Sequence, residues 1–512
     1  MKMNAATPNT AAQGDSIVII GTGFAGLGMG IRLKQAGIHD FVILEQASSV
    51  GGTWRDNHYP GAECDVQSHL YSFSFEPNPG WSKEFAAQKE ILGYLERCAE
   101  KYDLLPHIKF DTEVVSARFD ERAGMWDVAT RGGETYRARV LVSGCGGLSK
   151  PSMPDIPGIE TFRGKLFHSA RWNHDFDMND KVVGVIGTGA SSVQIVPAIQ
   201  PAVRRLDVFQ RTAPWITPKP DRKISRREQA LFARFPLLQK AARVSQYWRR
   251  EALAVGFVKQ PKVLKALEPL VRFYIERAVK DPVLRQKVTP DYRLGCKRIL
   301  PTNTYYRALQ KPNVDLVTSG IEAIVPEGIR TKDGQTHVLD AIVCATGFEA
   351  AEAVAPVPLR GRGGKDLEHV WVDGAEAYLG STVAGFPNFF MIVGPNTGLG
   401  HSSMVFMIES QIAYTLDAIQ QMRQKRLSTV EVKPEAQTAY NREIHARLAN
   451  TVWNTGCVSW YRTRSGKNTT LWPGYTFEFR RRTRVFDLES YDVVRKDAER
   501  AIPAPTYVSA NN

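Results

Sequence analysis

Ile17-Val18-Ile19-Ile20-Gly21-Thr22-Gly23-Phe24-Ala25-Gly26 is the stretch that decides the fold of this chain. Four consecutive apolar residues read as a buried parallel strand, and glycines at GxGxxG spacing turn it directly into a helix. Such a turn lets backbone amides at a helix N-terminus approach a pyrophosphate. A second apolar run, Phe41-Val42-Ile43-Leu44, ends in Glu45, 24 residues after Gly21, where a carboxylate can accept from a ribose diol. The expected ligand is an adenosine without a 2′-phosphate, as in FAD or NAD.

The pattern returns further on. The apolar run Val182 to Ile186 leads into Gly187-Thr188-Gly189-Ala190-Ser191-Ser192, with Ser192 in place of the third glycine. The strand-like Asp207-Val208-Phe209-Gln210 then ends in Arg211 and Thr212, and Arg211 stands 24 residues after Gly187. A guanidinium and a hydroxyl suit a 2′-phosphate, so this half reads as an NADPH site. Two fingerprints with opposite charges at matching distances argue for an α/β protein with two Rossmann-like dinucleotide-binding domains. The competing reading is a glycine-rich α/β sheet that binds nothing.

At 512 residues and 43% hydrophobic content, the chain has room for about three domain-sized units. It contains no apolar run of the roughly 18 residues that a membrane span needs, and Met1 to Asp15 lacks the apolar core of a signal peptide, so a cytoplasmic chain is expected. Cys64, Cys98, Cys145, Cys296, Cys344 and Cys457 are scattered, with no close pair and no His/Cys cluster at zinc spacing. Reduced, unpaired thiols and no metal are expected, and a disulfide reductase, which needs a cysteine pair just after its first fingerprint, is excluded. The net charge of +13 comes from one segment: Lys219 to Arg298 holds 21 Lys/Arg against 7 Asp/Glu, a net of +14. The plain reading of that excess is a solvated face. Weak peripheral contact with an anionic membrane surface, or steering of an anionic cofactor, is the alternative, and no nucleic-acid partner is expected.

Residues 1–147 read as the first part of the FAD-binding domain, closing on Val140-Leu141-Val142 and the glycine-rich Gly144 to Gly147. Pro151, Pro154 and Pro157 mark a linker, and 151–217 reads as the first part of the NADPH-binding domain. A basic helical insertion is expected over 218–296, with Leu264, Leu267, Val271, Tyr274 and Ala278 at helical spacing and with Pro236, Pro261 and Pro269 as interruptions. The strand-like Val314 to Val317 and Ala341 to Cys344 resume the α/β pattern, so 297–342 is expected to complete the NADPH-binding domain and 348–512 the FAD-binding domain. Met404 to Met422 has helical spacing, and Trp453 to Phe486 reads as loops and short strands.

Between the fingerprints stands Phe162-x-Gly164-xxx-His168-xxx-Trp172, which resembles the signature of Baeyer–Villiger monooxygenases, flavoproteins that insert oxygen next to a ketone carbonyl. Gly51-Gly52-Thr53-Trp54, followed by Tyr59-Pro60-Gly61 and Asp65, resembles that family's second signature, and Ala345-Thr346-Gly347-Phe348 resembles the connecting turn of flavin- and NADPH-dependent monooxygenases. Asn173 follows the signature tryptophan where the family usually has Pro or Asp.

The resemblance implies FAD and NADPH as cofactors, with dioxygen and a small hydrophobic ketone as substrates. NADPH reduces the flavin, dioxygen adds to give a flavin C4a-peroxide, and one oxygen atom is inserted to give an ester or lactone. Arg298, in Gly295-Cys296-Lys297-Arg298, matches the family's active-site arginine, and Asp65 matches its active-site aspartate. An always-charged guanidinium suits a peroxide anion and a developing oxyanion, and a carboxylate can orient it. Gly52, Thr53, Trp54, Asp65 and Tyr71 are expected on the flavin side, and Lys297 beside Arg211 and Thr212 on the 2′-phosphate. His168 resembles a hinge between domains, and Trp172 is expected in the core. Trp460, in Ser459-Trp460-Tyr461, resembles the tryptophan of a mobile loop on the nicotinamide side, although Arg462-Thr463-Arg464 departs from the family pattern.

Three other readings compete. An N- or S-oxygenating flavin monooxygenase would share both fingerprints but lack the full Phe-to-Trp signature and the Asp65–Arg298 pair. A membrane-surface protein with relict nucleotide folds would have no reason to keep Glu45, Arg211, Asp65 and Arg298. An NADPH oxidase that leaks electrons to dioxygen is a failure mode of the same site.

Overall fold

The computed structural model describes residues 16–349, 357–457, 459, 461–463 and 465–496. Two five-stranded sheets organise them. The first runs in the order Phe389–Met391, Val140–Ser143, Ile17–Ile20, Phe41–Leu44, Ile108–Lys109, with every pairing parallel. The second runs Val314–Val317, Arg205–Phe209, Val182–Ile186, Ala341–Cys344, Lys165–His168, again all parallel. Ile17–Ile20 and Val182–Ile186 are buried at every position, which is why both read as unbroken apolar runs rather than alternating ones.

The connections are interleaved. After the insertion Val314–Val317 joins the sheet beside Arg205–Phe209 and Ala341–Cys344 beside Val182–Ile186, and Phe389–Met391 returns to the sheet of Ile17–Ile20. Against the first sheet, helix Phe24–Gln35 packs on helix Met404–Gln424. The contact is close because Gly28 has no side chain: a Cβ there would stand 2.8 Å from Ile412 Cδ1.

The insertion is helical, as expected, over Arg226–Arg234, Pro236–Ala254, Pro261–Ala278 and Pro282–Val288. Pro236, Pro261 and Pro282 open their helices, where the missing N–H costs nothing. Pro269 was expected to interrupt; it sits instead inside the Pro261–Ala278 helix, exposed. Among the described residues no helix is long and apolar enough to cross a membrane.

Two expectations are corrected. Cys296 and Cys457 form a disulfide with Cα atoms 6.2 Å apart, whereas Cys64, Cys98, Cys145 and Cys344 are free. The pair is separated by 161 residues, a distance that spacing rules for cysteine motifs do not cover. The stretch Trp453 to Phe486, expected as loops and short strands, contains the helix Thr476–Arg482, whose last turn carries Arg480, Arg481 and Arg482. Cations there complement the helix dipole, a signal that the aromatic content of the stretch concealed.

Candidate active site

The two fingerprints close in the same way. Gly21 has φ +93° and a Cβ on it would stand 3.2 Å from the Gly144 carbonyl oxygen; Gly187 has φ +111° and would meet the Ala345 carbonyl oxygen at 2.5 Å. Left-handed backbone against a neighbouring carbonyl excludes any side chain at either position. A side chain at Gly26 would run into the Gly21 carbonyl, and Gly52, at φ +50°, lies against Gly23, its Cβ position 2.9 Å from the Gly23 Cα. Gly189 faces open space, with no atom within 4 Å of its Cβ position. Neither following helix has a side-chain cap on its first amides. Both turns therefore fit a pyrophosphate approached by bare backbone.

Their charged partners differ. Glu45 is buried, and its Oε2 accepts from the Thr22 backbone N–H at 2.9 Å and from the Thr22 hydroxyl, while Oε1 accepts from Ala47 N–H at 3.0 Å and pairs with Arg55 at 3.0 Å. Its oxygens are thus engaged by the chain's own donors. Arg211 is exposed, and Thr188 Oγ1 donates to the Thr212 carbonyl at 2.9 Å. Burial, and then the Arg211 charge, hold the Lys297 ammonium below its ordinary value. Two cations near enough to repel fit a phosphate between them.

Tyr59-Pro60-Gly61 forms the joint between the two halves. Tyr59 Oη donates to Gln194 Oε1 at 3.0 Å, and Gln194 Nε2 donates to the Glu63 carbonyl at 2.9 Å. Gly61 is left-handed at φ +81°, and a Cβ there would meet the Gln194 carbonyl oxygen at 2.6 Å. Gln194 belongs to helix Ser192–Ile199 of the second fingerprint, so the second signature docks one nucleotide segment onto the other. The first signature is a joint as well. His168 ends a strand paired with Ala341–Cys344, its Nδ1 accepts from Ala170 N–H at 3.1 Å, and its ring stands edge-on to Phe348 at 5.7 Å. Burial lowers the His168 pKa. A Cβ on Gly164 would stand 2.5 Å from both the Asp340 carbonyl and the Phe162 ring, and Trp172 is buried edge-on to Phe167. Thr346 Oγ1 donates to the Ser152 carbonyl and Ser152 N–H to the Gly347 carbonyl, which pins the linker to the Ala345-Thr346-Gly347 turn.

Just beyond the joint lies the expected pair. Arg298 Nε and Nη2 donate to Asp65 Oδ2 at 2.9 and 2.6 Å. Burial alone would push the Asp65 carboxyl up, but Arg298, with Arg250 and Lys219 behind it, holds it below the ordinary carboxylate value. Asp65 in turn raises Arg298. Protein surrounds both groups, yet their side chains keep 33% and 23% exposure, as expected of residues lining an internal space. Nearby, Trp54 Nε1 donates to Tyr71 Oη at 3.2 Å, and Tyr71 stands edge-on to Phe24 at 5.3 Å, forming an aromatic wall beside the first fingerprint.

Two residues that sequence reasoning missed hold the Asp65 segment. Arg250 Nη2 donates to the Asp65 carbonyl at 2.8 Å and its Nε to Gln67 Oε1 at 2.9 Å; Lys219 Nζ donates to the Cys64 carbonyl at 3.2 Å and Glu63 Oε1 at 2.6 Å. The signal for Arg250 was Gln239, Arg243, Gln246 and Arg250 at helical spacing, a polar stripe that reads as solvated until the fold turns it inward. Trp460 and Arg464 lie outside the described residues.

A family model described as pyridine nucleotide-disulphide oxidoreductase matches residues 18–235, which hold both fingerprints. A Baeyer–Villiger monooxygenase of Pseudomonas aeruginosa is 51% identical over 483 residues, covering 94% of this chain and 92% of the relative. One from Streptomyces coelicolor is 49% identical over 496 residues, covering 96% and 94%. The chain belongs to the Baeyer–Villiger monooxygenase family. Its fold is that of the family's solved members: OTEMO in complex with FAD and NADP superposes with a TM-score of 0.85 at 30% identity, covering 94% of this chain and 99% of the other. Cyclohexanone monooxygenase from Rhodococcus sp. Phi1 bound to NADP+ gives 0.84 at 29%, with the same coverage. Family membership sets the N- or S-oxygenating reading aside and turns the relict-fold reading away.

Proposed function

We propose that this Baeyer–Villiger monooxygenase converts a small hydrophobic ketone to an ester or lactone, with Asp65 and Arg298 as its catalytic pair. The observation that carries the assignment of roles is the two-pronged contact of Arg298 on Asp65 Oδ2 beside the first fingerprint. Gly21, Gly23, Gly26 and Gly52, in the domain of 1–147 and 348–512, would hold FAD. Gly187, Gly189, Ser191 and Ser192, in the domain of 151–217 and 297–342, would hold NADPH, with Arg211, Thr212 and Lys297 for its 2′-phosphate. Bound FAD, once reduced by NADPH, supplies the activated dioxygen from which one atom reaches the substrate.

The protein's own part is electrostatic. Asp65 fixes the guanidinium plane through Nε and Nη2, which leaves the other donors of Arg298 for negative charge that develops on oxygen. The carboxyl itself stays ionised because three cations oppose its burial. On the first cradle Glu45, whose Oε1 pairs with Arg55, would be the carboxylate that accepts from the ribose diol. His168 and the Ala345-Thr346-Gly347 turn serve as the joint between the two halves. The cytoplasm is the compartment proposed for it.

The test supplies the purified protein with NADPH, dioxygen and a mixed panel of linear, cyclic and aryl ketones plus a thioether, with products identified by mass spectrometry. Ester or lactone is expected, falling by about 10²–10³-fold or more in Arg298→Ala. Sulfoxide or hydrogen peroxide as the sole product would sink the reading.

A further inference from the structure

The helix Pro236–Ala254 is inside out. Gln239, Gln246 and Glu251 are buried, with Arg243 and Arg250 half-buried among them. These polar groups bond inward: Arg243 Nη1 donates to the His69 and Ser72 carbonyls at 2.6 and 3.0 Å, and Gln246 Nε2 to Glu84 Oε1 at 2.8 Å. The apolar residues point the other way. Leu237, Val244 and Trp248, spaced to share one helical stripe, are 78%, 46% and 55% exposed. Helix Pro261–Ala278 buries the apolar Leu264 and Ile275 but also exposes Val263, Leu267 and Leu270 at 39%, 40% and 66%.

Of the exposed large hydrophobic residues among those described, twelve lie between Leu231 and Val283. So dense a cluster marks an interaction surface. Its charge says which kind. Over 236–278 the exposed cations are Lys240, Arg249, Lys259, Lys262, Lys265 and Arg277, against one exposed acid, Glu276. A second copy docked through this face would bring together two segments that each carry a net +14, with like charges repelling across the contact. An anionic bilayer neutralises the cations and accepts the apolar stripes.

We propose that the outward apolar faces of Pro236–Ala254 and Pro261–Ala278 dock on an anionic lipid surface, the enzyme lying on the interface without crossing it. The inference stands on this surface alone and is independent of the ketone reading. It gives the solvated-face expectation for the basic segment a specific replacement.

Holoenzyme floated with vesicles of phosphatidylglycerol and phosphatidylcholine at low salt is expected to rise with them, to be released by high salt, and to ignore pure phosphatidylcholine. Lys262→Ala/Lys265→Ala should weaken the partition about 25-fold, roughly fivefold per cation. Leu237→Gln/Leu270→Gln should weaken it at least about tenfold, while FAD content and ketone turnover in lipid-free buffer stay at the parent level and show that the fold is intact. No flotation with anionic vesicles overturns the proposal, as does equal binding to phosphatidylcholine or binding unchanged in either double variant. Sedimentation velocity without lipid is the remaining arm: a dimer that dissociates in Leu237→Gln/Leu270→Gln assigns the face to a second copy and overturns it too.

Discussion

In the first cradle Gly21 turns left-handed against the Gly144 carbonyl and Gly26 abuts Gly21; in the second, Gly187 turns left-handed against the Ala345 carbonyl, but Ser192 stands where the third glycine would be. At the end of the second strand the first half carries a buried Glu45, bonded on both oxygens, and the second an exposed Arg211 beside Lys297. Backbone geometry is shared because any pyrophosphate needs bare amides at a helix start. The adenosine is chosen by one side chain, whose charge can change without touching the fold. The tighter first half looks built to keep its cofactor, and the more open second half to exchange one.

Glycine substitutions should break that contrast most sharply. Gly26→Ala drives a methyl into the Gly21 carbonyl and is expected to yield protein without FAD, read from its visible absorbance. Gly189→Ala, with open space around its Cβ, should remain a yellow holoenzyme and raise the NADPH Michaelis constant, because the methyl meets only the incoming pyrophosphate. Comparable FAD loss in both variants would erase the distinction between the halves.

Arg211→Ala sharpens the charge half of the comparison. Losing a charge-assisted contact worth about 1.5–3 kcal/mol should raise the NADPH Michaelis constant about 10- to 100-fold and spare NADH. Equal damage to both nucleotides would place Arg211 away from the 2′-phosphate.

Between the halves, Arg250→Met tests whether the insertion helix positions Asp65. Arg250 is one of the cations that hold the Asp65 carboxyl low against burial, so its loss should raise that pKa. A group with a depressed pKa works ionised above it and fails as pH falls through it; the acid limb of kcat against pH should therefore move to higher pH. Arg250→Lys should restore part of the shift. A lower melting temperature with an unmoved pH profile would reduce Arg250 to scaffolding.

The smallest expected effect concerns thiols. In denaturant, which exposes the buried cysteines, four should titrate before reduction and six after it, because Cys296 and Cys457 are joined. Six without reduction would mean that the pair stays open in solution.

Much of this was legible before the fold. Strand, turn and helix at each fingerprint run from Ile17 to Gln35 and from Val182 to Ile199, and apolar runs, glycine spacing and first-turn prolines are local signals with local causes. Glu45 was legible as a carboxylate in place, but not as one already held by Thr22, Ala47 and Arg55. The insertion was legible as helical and basic, yet which way its stripes face was not. Periodicity says that a helix has two faces; packing decides which is inside, and in Pro236–Ala254 the polar one is.

The sequence by itself thus determined two nucleotide folds, their order, the charge at each adenosine and the family signatures, since each depends on neighbours along the chain. Tertiary structure alone decided that Arg298 reaches Asp65 across 233 residues, that Gln194 clasps the Glu63 segment across 131, and that Cys296 meets Cys457 across 161. Those contacts exist because two parallel sheets return distant strands to each other, and no local propensity records where the returning chain will land.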